Sequence, residues 1–193
     1  RVCESAEGSK FTVHAFGKSF EAALSVPGLH NVLDALAAAA VGLLLGLSPE
    51  QIAEGLRSYA PLRQRVSHAA GMTIIDDCYN ANPQSMAEGI RMLAASRQKK
   101  RLAVLGDMGE LGALTVQAHR DMGTLCRELG IETVAVGEKM KALTETDPEA
   151  QWFAGVEEAM PAVRARFTPG TAVLVKASRA MHFENIVKEL EKE

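Results

Sequence analysis

Three short stretches of the 193-residue chain carry side chains that could do chemistry, and each follows directly on a run of apolar residues. The first is Asp76-Asp77-Cys78-Tyr79-Asn80-Ala81-Asn82-Pro83. Adjacent carboxylates repel one another unless a cation, a metal or a ligand hydroxyl lies nearby. An aspartate at a strand end can accept hydrogen bonds from a ribose diol, and asparagines donate and accept at once, as recognition of a polar substrate requires. A turn with a helix cap accounts for Asn82 and Pro83, but not for the paired aspartates, Tyr79 and Asn80. The second stretch, Gly106-Asp107-Met108-Gly109-Glu110-Leu111-Gly112, has three glycines in seven residues, which lets backbone amides approach a ligand. It lacks the Gly-Lys-Ser/Thr ending of a phosphate loop, and alone it reads equally as a glycine-rich surface loop. The third is Lys176-Ala177-Ser178-Arg179. Two cations at a partly positive helix N-terminus suit a carboxylate or phosphate; two solvated cations beside a capping serine explain the stretch nearly as well.

A fourth pattern, Gly28-Leu29-His30-Asn31, opens an apolar, Ala-rich segment. The histidines (His14, His30, His68, His119 and His182) show no HxH or HxxxH pairing, so a histidine metal site is not expected. Cys3, Cys78 and Cys126 are too scattered for a metal cluster or a disulfide framework, which indicates a reduced, cytoplasmic setting. A net charge of −3 gives no reason to expect nucleic acid. The segment from Val32 to Leu47 is interrupted by Asp34 and is too short for a comfortable membrane span. A monomer is expected. The chain starts at Arg1 within sheet-like sequence and reads as a fragment of a longer protein.

The elements that must position these stretches follow from periodicity. Residues 11–26 hold two alternating runs around Gly17-Lys18 and predict a hairpin. Pro27-Gly28 breaks the chain, and Leu29–Gly46 predicts a helix buried on several sides. Ser48-Pro49-Glu50 starts another helix that runs to about Tyr59, and Pro61 with the polar stretch after it is the best boundary. Beyond it, strands alternate with helices. Strands are predicted at 72–76, 101–105, 133–136, 152–153 and 171–175. Helices are predicted at 83–95, 115–129, 138–144, 156–167 and 179–190, the last capped by Ser178. Short apolar strands alternating with helices give a parallel sheet covered on both faces, where ligands bind at the carboxyl ends of strands. All three chemically unusual stretches sit at such ends.

In order along the chain, GxHN with its Ala-rich helix, Arg65 just after the boundary, DDxYNANPxSM, VLGDMxELG and VKxSR resemble the Mur ligase family from Pro27 onward. The resemblance implies an α/β chain: a Rossmann-like C-terminal domain with a mostly parallel sheet (61–193), preceded by the tail of a central ATPase domain (1–60). It implies ATP with Mg2+, the phosphate loop and metal ligands lying upstream, since GxxxxGK[ST] is absent. The DDxYNANPxSM and GDMxELG loops are most like those of the branch that joins D-alanyl-D-alanine to UDP-N-acetylmuramoyl-tripeptide through an acyl phosphate, in peptidoglycan synthesis. By the resemblance, Asn31 meets the adenine, Asp77 the ribose and Arg65 the nucleotide phosphates. Asn80, Asn82, Lys176, Ser178 and Arg179 face the substrate cleft, and no catalytic residue is assigned. Two positions depart from the family pattern: Asp34, where asparagine is common, and Ala177, where glycine is. A folylpolyglutamate synthase-like fragment and a non-catalytic nucleotide- or protein-binding module are the alternatives.

Overall fold

The computed structural model describes residues 2–5, 8–26, 28–59 and 65–192; Pro27 and the expected boundary at Pro61 lie outside them. The chain divides into two units, Arg1–Leu62 and Arg63–Glu193.

In the first unit, β1 (Val2–Ser5), β2 (Gly8–Ala15) and β3 (Lys18–Leu24) form an antiparallel sheet in that order. The β2–β3 turn is Phe16-Gly17, both at positive φ (50° and 73°), the geometry that matches the twist of a two-residue hairpin. Helix α1 (Leu29–Leu44) follows, then α2 (Pro49–Arg57). Ser48 and Gln51 close a reciprocal capping box at the start of α2, with Pro49 in its first turn. The small core joins Phe11, Val13, Leu24, Val32, Ala39 and Ile52. Helix α1 departs from the expected burial on several sides. It buries only Val32, Ala35, Ala39 and Gly42, while Leu29, Leu33, Val41 and Leu44 stand exposed.

The second unit holds a six-stranded sheet in the order β4-β5-β9-β6-β7-β8. Its strands are β4 (Arg65–Ala69), β5 (Met72–Asp77), β6 (Lys100–Gly106), β7 (Glu132–Val136), β8 (Gln151–Phe153) and β9 (Thr171–Lys176). All neighbours run parallel except β4, which pairs antiparallel with β5 through a tight turn at Ala70-Gly71. The sheet is therefore mixed, and β4 is an addition to the expected set. Helices α3 (Pro83–Ala94) and α4 (Thr115–Glu128) cover one face, with Met86, Ile90, Leu93, Met122 and Cys126 in its core. Helices α5 (Val156–Arg166) and α6 (Glu184–Leu190) cover the other, with Val163, Ile186, Val187 and Leu190. Every residue of the central strand β9 is buried, as a strand between two helical layers must be. The helix expected at 138–144 is a 3-10 turn, Met140–Glu145. The helix expected from Arg179 is a 3-10 turn at Arg179–Met181, broken by left-handed His182 (φ 51°) before α6 begins. No helix among the described residues is long and apolar enough to cross a membrane.

Candidate functional site

Strand order decides what meets what. Because β9 lies between β5 and β6, the loop leaving β9 can touch both the Asp76–Asn82 loop and the Gly106–Gly112 loop. Lys176 at the end of β9 meets the first of them and Ser178, two residues on, meets the second.

Lys176 and Asp77 end β9 and β5 as register partners. The Lys176 ammonium donates to Asp77 Oδ2 at 2.6 Å and to the Asn80 carbonyl at 3.0 Å. Both residues are interior, at 1% and 4% exposure. Lys176, expected to face the cleft, is buried here, with its charge taken up by Asp77 and its stem against Gly89 of α3. Asp77 is likewise turned inward, so a ribose at this strand end would have to share its carboxylate with Lys176. The neighbouring Asp76 accepts from the Cys78 N–H at 3.3 Å, and the Cys78 thiol donates to the Val175 carbonyl at 3.3 Å. Burial, then the nearby Asp76 charge, pushes the Cys78 thiol's pKa well up.

Ser178 was expected to cap a helix, but its side chain makes no cap hydrogen bond. Its Oγ accepts from the Gly109 N–H at 2.7 Å, and its own N–H donates to the Asp107 carbonyl at 3.1 Å. The hydroxyl ties the glycine loop to β9 because the chain bends away before a helix can form. Gly106 makes that approach possible. A Cβ there would lie 2.5 Å from Phe183 Cζ and 2.7 Å from the Ala177 methyl. The glycine loop is held from its other side as well. Met108 N–H donates to His119 Nε2 at 3.1 Å while His119 Nδ1 lies 2.6 Å from the Thr115 carbonyl, an arrangement that puts the ring proton on Nδ1. Asp107 Oδ1 accepts from the Met140 N–H at 2.8 Å. His119 showed no role in the sequence, although its place on the inward face of α4, four residues after Thr115, is the signal for one.

The outward layer of this cluster is polar. Asn82 accepts from the Ser85 N–H at 2.9 Å and caps α3, so the cap reading accounts for its carbonyl oxygen. Asn80 is exposed, with its Oδ1 accepting from the Ala81 N–H at 2.8 Å. Exposed Arg179 lies over the Tyr79 ring, 6.0 Å from its centre, a contact within cation–π range. Arg65 stands in register with Asp76 on the edge strand and pairs with Glu191 at 2.9 Å. Among the described residues no group of three or more His, Cys, Asp or Glu is placed to hold a metal ion.

In the first unit, a hollow of about 200 Å3 is lined by Leu24, Asn31, Asp34, Ala35, Ala38, Leu56 and Tyr59. Asn31 and Asp34 are three residues apart on α1 and so share one of its faces.

The second unit is an α/β domain of the wound-sheet kind, with its polar loops gathered at the carboxyl ends of parallel strands. The chain belongs to the Mur ligase family: the family model described as Mur ligase, glutamate ligase domain matches residues 62–179. It is 33% identical, over 98% of its own length and 43% of the relative's, to a UDP-N-acetylmuramoyl-tripeptide--D-alanyl-D-alanine ligase of Bacillus subtilis. Its structure superposes on MurF from Acinetobacter baumannii with a TM-score of 0.91 at 30% identity, covering the whole chain and 44% of that structure. It also matches MurF ligase from Thermotoga maritima in complex with ADP, with a TM-score of 0.82 at 25% identity, over the whole chain and 45% of that structure. The chain thus spans less than half the length of the relatives it matches.

Proposed function

We propose that this chain is the C-terminal part of a cytoplasmic, ATP-dependent ligase that joins D-alanyl-D-alanine to UDP-N-acetylmuramoyl-tripeptide in peptidoglycan synthesis. Residues 1–60 would be the end of the central ATPase domain, and 61–193 the C-terminal domain. The observation that carries the reading is the convergence of the Asp76–Asn82 and Gly106–Gly112 loops on the loop after β9, in a chain matched along 98% of its length by a ligase of that name. The exposed apolar residues of α1 support the domain assignment, since a helix with Leu33, Val41 and Leu44 in water has a face suited to further packing.

The chemistry to be served is acyl activation. A carboxylate is a poor electrophile; ATP phosphorylates the terminal carboxylate of the tripeptide and leaves as ADP. The amine of D-alanyl-D-alanine then attacks the carbonyl carbon, and inorganic phosphate departs with the C–O electron pair. The protein's part is positioning and charge stabilisation. The α1 hollow suits an adenine ring, with apolar walls from Leu24 and Leu56 and the Asn31 amide to donate and accept. Arg65 is assigned to the nucleotide phosphates, since its exposed partner Glu191 can be exchanged for them. Asn80 and Arg179 are the outward groups assigned to the peptide substrates, with Arg179 suited to the free carboxylate of D-alanyl-D-alanine. The ligands of Mg2+ are assigned upstream of this chain, as the family resemblance implies.

Phosphate release from the full-length parent, with UDP-N-acetylmuramoyl-tripeptide and each candidate acceptor in turn, tests the reading. Phosphate release that requires D-alanyl-D-alanine is the expected result, and glutamylation of a folate instead would overturn it. The 193-residue chain alone is expected to turn over neither ATP nor peptide.

A further inference from the structure

Residue types at the end of β9 suggest an anion-binding lysine, but the geometry points to something else: we infer that Lys176 is a positioning residue that locks the Asp77–Asn82 loop in its outward-facing form. Three observations carry this. Lys176 is buried, with side-chain exposure of 1% against 6% for Asp77, so no ligand carboxylate can reach its ammonium without displacing the loop. Its two hydrogen bonds go to different parts of one loop, the Asp77 carboxylate at the strand end and the Asn80 main-chain carbonyl three residues on. A contact to Asp77 alone would neutralise a charge, whereas the second bond fixes the path of the chain between the two residues. The helix above makes room for this: a methyl group on Gly89 of α3 would come within 3.4 Å of Lys176 Cδ and 3.3 Å of Leu174 Cδ2.

The loop so held carries Cys78 with its thiol turned in, and Tyr79 and Asn80 turned out. The strut therefore acts on substrate groups at one remove. It sets where Asn80 sits and where the Tyr79 ring meets Arg179, without touching either ligand. A buried ammonium with a carboxylate and a carbonyl partner is satisfied only in this loop conformation, since moving the loop would strand a charge away from water. That makes the outward-facing form the one strongly favoured.

The loop contains its own reporter. Cys78 is buried within it, Cys126 is buried elsewhere on the inward face of α4, and Cys3 is exposed. Replacing Lys176 alone would leave Asp77 buried and unpartnered and could unfold the chain. The informative comparison is thus wild type with Asp77→Asn/Lys176→Met, neither of which leaves a lone buried charge. Thiol alkylation followed by mass spectrometry on the 193-residue chain is the first measurement. The double variant should label Cys78 about tenfold faster than wild type, the factor associated with losing one charge-assisted hydrogen bond, with Cys126 unchanged. Equal Cys78 rates, or Cys78 and Cys126 accelerating together, would overturn a local strut. The second measurement rests on the ligase reading and uses the full-length parent. The KM for D-alanyl-D-alanine should rise about tenfold from wild type to the double variant, more than the KM for ATP does. A faster Cys78 with an unmoved dipeptide KM would overturn the role in substrate positioning. A parent that does not use the dipeptide would sink the ligase reading and leave the labelling result to stand or fall by itself.

Discussion

Two ion pairs stand at the same end of the same sheet and differ in their access to water. Lys176–Asp77 has side-chain exposures of 1% and 6%, whereas Arg65–Glu191 has 60% and 31%. Both bring nitrogen and oxygen within 3 Å, at 2.6 and 2.9 Å. Water decides the difference. The outer pair gives up little solvation when it breaks and is screened while it lasts, so each partner remains available to a ligand. The inner pair cannot be re-solvated without moving the chain, so each partner is held by the other, although one of them sits in the most chemically suggestive motif of the sequence. A cation near a strand end is thus a ligand group or a strut according to burial, and residue type does not distinguish the two.

The largest effect should come from breaking the inner pair on one side. Lys176→Met leaves a buried carboxylate without its cation, and removing one partner of such a pair costs about 3–5 kcal/mol. Chemical denaturation of the 193-residue chain should show the second unit melting far earlier. A midpoint no lower than that of the outer-pair variant below would erase the contrast. Asp77→Asn/Lys176→Met should recover most of the loss, because replacing both charges removes the desolvation cost as well.

Next in size is Ser178→Ala. It removes the acceptor for the Gly109 N–H, and an inward donor left unmatched costs about 1–3 kcal/mol. The same denaturation assay should place it between the two ion-pair variants. Wild-type stability would mean that the glycine loop finds another acceptor, and that the tie between β6 and β9 is incidental.

Arg179→Lys should barely alter stability, since the side chain is exposed. Its expected effect is on the dipeptide. A guanidinium meets a carboxylate with two parallel hydrogen bonds and lies flat on an aromatic ring, whereas an ammonium offers a point charge. In the full-length parent the KM for D-alanyl-D-alanine should rise about tenfold, as loss of roughly one charge-assisted hydrogen bond implies, with that for ATP nearly level. A selective rise for ATP would move Arg179 to the nucleotide.

Much of this architecture is legible in the sequence because its signals are local. Ser48-Pro49 and Asn82-Pro83 announce α2 and α3, and both starts carry full capping boxes. The apolar strands of the second unit announce the wound sheet, and with it the ends at which the unusual loops gather. What was not legible depends on neighbours far along the chain. Strand β4 (RVSHA) is an edge strand whose apolar residues do not alternate cleanly, so it carries little pattern. Helix α1 is apolar on nearly every face, and only the fold shows that Leu29, Leu33, Val41 and Leu44 are left exposed. The partners Lys176 and Asp77 are 99 residues apart, and nothing short of strand order puts β9 beside β5. Ser178 matched the cap pattern, yet the left-handed turn at His182 breaks the helix it would have capped.

The smallest expected effect tests the outer pair. Glu191→Gln removes the charge that holds Arg65, and exposed pairs of this kind contribute about 0–1 kcal/mol, so the denaturation midpoint should scarcely move. Glu191 also accepts from Ser67 Oγ at 2.8 Å, a bond that the glutamine carbonyl can keep. If Arg65 serves the nucleotide phosphates, releasing it from a competing carboxylate should lower the KM for ATP slightly in the full-length parent, by about twofold if some 0.4 kcal/mol of pairing is removed. Arg65→Ala should raise the same constant. A midpoint that falls as far for Glu191→Gln as for Lys176→Met would show that burial is not what separates the two pairs. An ATP constant indifferent to both changes would leave Arg65 as an edge-strand residue with no ligand to meet.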